Sequence, residues 1–121
     1  MNKKIKKILN KKNKSMIVSL TAYSKNIAKI LDRYCDIILV GDSMANVLYG
    51  LNDTHKITLQ NIIQHTLSVK KGVNKSLLVV DMPKGTYTNE NLAKKNANLL
   101  IKLTGCDAVK IAVSYTHLTL P

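Results

Sequence analysis

Apolar and polar residues along this chain alternate between two periodicities. Short apolar runs at residues 16–21 (MIVSLT), 37–40 (IILV), 77–80 (LLVV) and 108–111 (AVKI) each predict a strand. Between them, apolar residues recur three and four positions apart, which is helical spacing. Ser24 is placed to cap a helix carrying Ile27, Ile30, Leu31 and Tyr34. Residues 59–71 set Leu59, Ile62, Ile63, Thr66 and Leu67 on one face. Residues 89–104 turn Leu92, Leu99, Leu100 and Leu103 inward, and Gly105 is placed to end that helix. Strands that are apolar throughout belong to a parallel sheet covered by helices, so the fold class is α/β. The pattern alone leaves two architectures open: a doubly wound sheet, or the N-terminal half of a (βα)8 TIM barrel of about 250 residues. It also divides the chain into a short amphipathic helix at 1–14, an α/β domain at 15–111, and a segment at 112–121 where no further helix begins.

The polar residues fall at informative places. Asp42 and Ser43 follow the second strand, Asp81 ends the third, and Lys110 lies near the end of the fourth. Both α/β architectures bind ligands at the carboxyl ends of their strands. Two carboxylates with a hydroxyl beside them suit a hard cation such as Mg2+, and a neighbouring lysine suits an anionic substrate. An Asp after a strand also makes turns or caps helices; three adjacent strand ends agreeing favours a site. A phosphoacceptor receiver domain would place its acidic pair after the first strand, which here ends in Leu20-Thr21. Gly41-Asp42-Ser43 lacks the glycine pattern of a phosphate loop. His55 and His65 are too far apart for helical metal pairing, and His65 is expected at the surface or in a satisfied interface. Cys35 and Cys106, each just before a strand, are expected to be small buried apolar residues in a reducing compartment.

Composition narrows the picture further. With 121 residues, 45% hydrophobic and 21% charged, the chain suits one globular domain. No apolar run approaches the roughly 20 residues that span a bilayer. The net charge of +12 raises the question of nucleic acid, and seven lysines crowd into residues 3–14. Yet Arg33 is the sole arginine, Trp and Phe are absent, and Asn is abundant beside Lys. Lys and Asn share A-rich codons, so the charge points to codon bias and one basic leading helix. That helix has neither the apolar core of a secretion signal nor the arginines of a mitochondrial presequence, which predicts a cytoplasmic protein. A Lys-rich nucleic-acid-binding protein working through residues 3–14 is the alternative from another class.

Several segments, in order from about residue 16 to 111, resemble the ketopantoate hydroxymethyltransferase family. They are Leu20-Thr21-Ala22-Tyr23, Asp36-Ile37-Ile38-Leu39-Val40-Gly41-Asp42-Ser43, Val47-Leu48-Tyr49-Gly50, Ile57-Thr58-Leu59, His65-Thr66, Val80-Asp81-Met82-Pro83 and Asp107-Ala108-Val109-Lys110. The resemblance implies a (βα)8 barrel, Mg2+, and transfer of a hydroxymethyl group from 5,10-methylenetetrahydrofolate to a 2-oxo acid through a metal-stabilised enolate. By the same resemblance Asp42 and Asp81 are metal ligands, and Asp42, Ser43, Asp81 and Lys110 hold the oxo acid. Family members are homo-oligomers. Another Mg2+-dependent lyase or aldolase barrel acting on 2-oxo acids would share this chemistry but not the folate donor.

The chain departs from the family pattern at Ala45, Lys84 and Ser24, where Gly, an aromatic and Asp are usual. It departs more seriously at Ala112, where a glutamate completing the metal shell is expected. The catalytic base is expected beyond this chain, so residues 1–121 alone are expected to be inactive. Residues 113–121 (VSYTHLTLP) are the translation of GTC TCT TAT ACA CAT CTG ACG CTG CCG, a transposase adapter of DNA library preparation. Segment 112–121 is therefore expected to be non-native, with a G-initial codon such as glutamate's interrupted at position 112.

Overall fold

A computed structural model describes residues 2–52 and 57–112 of the chain. His55 and residues 113–121 lie outside the described residues. The elements run α1 (Lys3–Leu9), β1 (Ser19–Thr21), α2 (Lys25–Leu31), β2 (Ile37–Val40), α3 (Met44–Val47), α4 (Leu59–Lys70), β3 (Leu77–Asp81), α5 (Glu90–Thr104) and β4 (Ala108–Lys110). The four strands form one parallel sheet in the order β1-β2-β3-β4. A doubly wound sheet reverses direction at a switch point; these four strands follow sequence order with no reversal.

Register explains the layering. Ile38 pairs with Leu78, and Val40 with Val80, and all four are completely buried. They join Ala28, Ile62, Val69 and Leu100 from the helices in a single core. Helix α4 lies on β2 and β3, with α2 and α5 packed on its flanks. Its capping box is complete: Thr58 Oγ1 accepts from the Asn61 backbone N–H, and Asn61 Oδ1 accepts from the Thr58 N–H. Helix α5 starts at Asn89, whose side chain accepts from Leu92 N–H, and stops at Gly105 in the left-handed conformation that glycine adopts without strain. The residues between those core positions, Leu39, Val79 and Ala108, are in register on the opposite sheet face and only partly buried.

Three expectations need correction. The first strand is shorter than residues 16–21, and all three of its residues are exposed, because β1 is an edge strand with a neighbour on one side only. Helix α2 does not bury Ile27, Ile30 or Tyr34, which are 48%, 59% and 71% exposed; it turns Ala28 inward. The reason is the close approach of α2 to the turn after α4, where a Cβ on Gly72 would lie 2.3 Å from the Lys25 carbonyl oxygen. Only small residues fit that contact. Likewise Leu67, Leu99 and Leu103 sit at the exposed margins of their helices, with Thr66 and Leu100 taking the central buried places. The short α3 carries no periodic signal and follows β2 directly.

Helix α1 and the turn after it carry lysines to the strand starts. Lys11 Nζ lies 2.6 Å from Asp36, and Lys4 Nζ lies 3.6 Å from Asp107. Among the described residues, no helix is long and apolar enough to cross a membrane.

Candidate functional site

The four sequence-predicted site residues meet at the carboxyl ends of β2, β3 and β4. Asp81 and Lys110 are register partners across β3 and β4, so their side chains leave the sheet on the same face. Lys110 Nζ lies 3.0 Å from Asp81 Oδ1. Asp81 is buried while the Lys110 side chain is half exposed. The other carboxylate oxygen, Oδ2, accepts from the Asp42 backbone N–H at 3.2 Å, which ties the end of β2 to the end of β3.

Gly41 makes room for this arrangement. A Cβ there would stand 3.2 Å from Ser43 Oγ and 3.4 Å from Asp81 Oδ2, so both oxygens border one small space at the strand ends. Immediately beyond, the chain turns into α3. Ser43 stands at its N-cap position but makes no side-chain capping bond. Its hydroxyl instead meets the Tyr23 hydroxyl at 2.5 Å.

Asp81 Oδ1 is sealed from solvent and accepts no hydrogen bond. Its compensation is the lysine charge, placed outside hydrogen-bond alignment. Buried acceptors without a donor are uncommon and costly, and one at a strand end is a natural cation ligand. Two carboxylates and a hydroxyl are hard oxygen donors of the kind Mg2+ takes, with remaining positions left to water or substrate oxygens. Among the described residues, no group of three His, Cys, Asp or Glu side chains converges on one point. Ala112 brings no third carboxylate, and its carbonyl accepts from the Tyr87 hydroxyl at 3.0 Å. The donor types are those a hard cation takes, and the structure sets the Asp81 carboxylate and the Ser43 hydroxyl beside one small space at the strand ends.

Behind Ser43 lies a layer of which the sequence singled out only His65, expected at the surface or in a satisfied interface. His65, half-buried on α4, has Nδ1 3.1 Å from the Tyr23 carbonyl oxygen and Nε2 2.7 Å from the Tyr49 hydroxyl. The Tyr49 and His65 rings also meet edge-on, 5.8 Å apart. His65 is thus an interface histidine with both nitrogens engaged. Tyr23 stands two residues past the first strand, as Asp42 does past the second, so the strand-end rule that picked out Asp42 would also have found it.

The opposite end of the sheet is chemically different. Burial raises the Asp32 carboxyl pKa, but donation from the Ser76 and Lys75 backbone N–H groups outweighs it and holds the group below the usual carboxylate range. Asp36 is lowered by its bond to Lys11 and by the Val18 N–H. Asp107 accepts from Leu78 N–H and from Asn2 Nδ2, each at 2.9 Å. A cleft of about 310 Å³ opens here, lined by Lys7, Lys11, Arg33 and Lys75 among others. Its carboxylates are already committed to backbone and lysine, and this end offers no chemistry like that of the rim. Burial pushes both cysteine thiols up, Cys35 and Cys106 alike, away from nucleophilic use.

A sequence model of the ketopantoate hydroxymethyltransferase family matches residues 2–119. Relatives named 3-methyl-2-oxobutanoate hydroxymethyltransferase include one from Pelagibacter ubique, 57% identical over 111 residues, covering 92% of this chain and 43% of the relative. One from Anaplasma marginale is 48% identical over 101 residues, covering 84% of this chain and 36% of its own. Another, from Rhizobium etli, is 48% identical over 96 residues, covering 78% and 35%. The chain therefore spans less than half the length of the relatives it matches.

Proposed function

Because the chain belongs to the ketopantoate hydroxymethyltransferase family, we propose that it is the N-terminal half of a cytoplasmic (βα)8-barrel transferase. The reaction moves a hydroxymethyl group from 5,10-methylenetetrahydrofolate to 3-methyl-2-oxobutanoate, giving 2-dehydropantoate for pantothenate synthesis. The observation that carries this reading is the rim itself: three adjacent strand ends deliver Asp42 with Ser43, Asp81 and Lys110 to one place. The sequence order of the strands supports the barrel, since each strand adds beside the last with its helix on one face.

Asp42 and Asp81 would hold Mg2+, with a third carboxylate in place of Ala112. The ion supplies positive charge that draws electron density from the keto and carboxylate oxygens of the oxo acid. Ser43 donates a hydrogen bond to the substrate carboxylate. Lys110, a point charge on a half-exposed stem, stands beside the negative charge that grows as the C3 proton leaves. The Asp42 N–H holds the Asp81 carboxylate so that one oxygen stays turned to the site. The base that takes the proton lies outside residues 1–112, so the 121-residue chain alone is inactive. The complete protein is a homo-oligomer.

The test joins residues 1–111 to the remaining segment of the Pelagibacter ubique relative and follows 2-dehydropantoate formation. Product that requires both Mg2+ and the folate donor is expected. A folded chimera that makes product from free formaldehyde but never from the folate would replace this reading with the aldolase one. A folded chimera that makes no product from either donor would refute it.

A further inference from the structure

Ser43 is assigned to the substrate carboxylate, yet nothing in that assignment explains Tyr23. A serine hydroxyl carries one proton and can spend it on a neighbour or on a ligand. Its own helix does not use it, since the N-cap side chain of α3 makes no capping bond. The contact it does make is the Tyr23 hydroxyl, at 2.5 Å, shorter than the roughly 2.7–2.8 Å usual between hydroxyls. Of the two groups the phenol is the stronger acid, so it is the better donor. With Tyr23 donating to Ser43 Oγ, the serine proton has only the ligand side to point toward.

Tyr23 is itself held. Its backbone carbonyl can only accept, so the 3.1 Å contact to His65 Nδ1 places a proton on that nitrogen. In the neutral ring Nε2 is then an acceptor, and the Tyr49 hydroxyl donates to it at 2.7 Å. The two contacts at Tyr23 lie on different parts of the residue: His65 donates to its backbone carbonyl, and its phenol meets Ser43. Tyr49 and His65 therefore anchor the backbone that presents the phenol.

We infer that Tyr23 is a positioning residue for the oxo-acid site: it acts through Ser43, donating to its oxygen so that the serine proton is aimed at the carboxylate of the substrate. His65 and Tyr49 hold Tyr23 in the geometry that does this. The inference rests on the proposed function of the rim and adds to it a residue behind the substrate contact.

A double-mutant cycle in the chimera described above tests it, with KM for 3-methyl-2-oxobutanoate as readout. Ser43→Ala is expected to raise KM about thirtyfold, the loss of a hydrogen bond to a charged group. Tyr23→Phe keeps the ring and is expected to raise KM about fivefold with kcat nearly unchanged. The double variant is expected to match Ser43→Ala alone. Tyr23→Phe and Ser43→Ala effects that multiply would overturn the inference while leaving the site intact. Ser43→Ala without effect would overturn the site assignment, and the inference with it. A second readout needs no activity. In the folded chimera, a downfield hydroxyl proton resonance from the short contact is expected, and it should vanish in Tyr23→Phe and in Ser43→Ala. Its absence from the unsubstituted chimera would also count against the inference.

Discussion

The two ends of one small sheet use the same residue type for opposite purposes. At the strand starts, Asp32, Asp36 and Asp107 each receive backbone N–H donors from a neighbouring element. At the strand ends, Asp81 receives one donor on one oxygen and leaves the other buried without a hydrogen bond. The first arrangement saturates the carboxylate and ties β1, β3 and the turn before it to their neighbours. The second holds back binding capacity, which costs folding energy unless something else claims it. On the proposed reading, the number of backbone donors an aspartate has received tells the saturated groups at the strand starts from Asp81, whose second oxygen faces only the Lys110 ammonium.

Substitution should split the two ends in opposite directions. The largest effect expected is on activity: Asp81→Asn in the chimera should lower kcat/KM about a thousandfold, about 4 kcal/mol of transition-state stabilisation. The same change should cost the folded protein little thermal stability, because the ion pair it removes reaches a half-exposed lysine. Asp32→Ala should do the reverse. It strands the Ser76 and Lys75 N–H groups and should cost about 3 kcal/mol in denaturant unfolding, with activity per folded molecule preserved.

Acid should sharpen the same contrast. Asp32 and Asp36 have lowered pKa values in the folded chain, so the unfolded chain binds protons more readily than the folded one. The stability they contribute is in place above the usual carboxylate range, about pH 4, and is lost as pH falls through their lowered values. Melting temperature against pH should therefore drop steeply below about pH 4. In Asp32→Asn the drop should be shallower from a lower plateau; an unchanged slope would mean the carboxylate is not held as described. The smallest effects belong to the part-exposed lysines of α1 and the turn after it. Lys11→Ala, which removes the 2.6 Å partner of Asp36, should cost less than about 1 kcal/mol, and Lys4→Ala less still.

Much of this architecture was legible because parallel strands buried under helices write themselves as continuous apolar runs. The runs at 37–40 and 77–80 became β2 and β3, and the charged residues closing them became the rim. What was not legible depended on neighbours. The exposure of β1 follows from its place at the sheet edge, and sequence alone does not say which strand will be an edge. The inward face of α2 went to Ala28 over heavier Ile27 and Ile30, because backbone approach at Gly72 decides what fits. The bond between Tyr23 and His65 joins residues 42 positions apart and leaves no periodic trace. Family resemblance supplied the roles of Asp42, Ser43, Asp81 and Lys110, while geometry supplied the reason Asp81 differs from Asp32.

The most direct measurement is exchange of the C3 proton of 3-methyl-2-oxobutanoate into D2O by the chimera with Mg2+, comparing Asp81→Asn with Asp32→Asn at a temperature where both are folded. Exchange should disappear in Asp81→Asn and persist at the unsubstituted rate in Asp32→Asn. Exchange that survives in Asp81→Asn, or that falls equally in both, would contradict the division of labour between the two ends of the sheet.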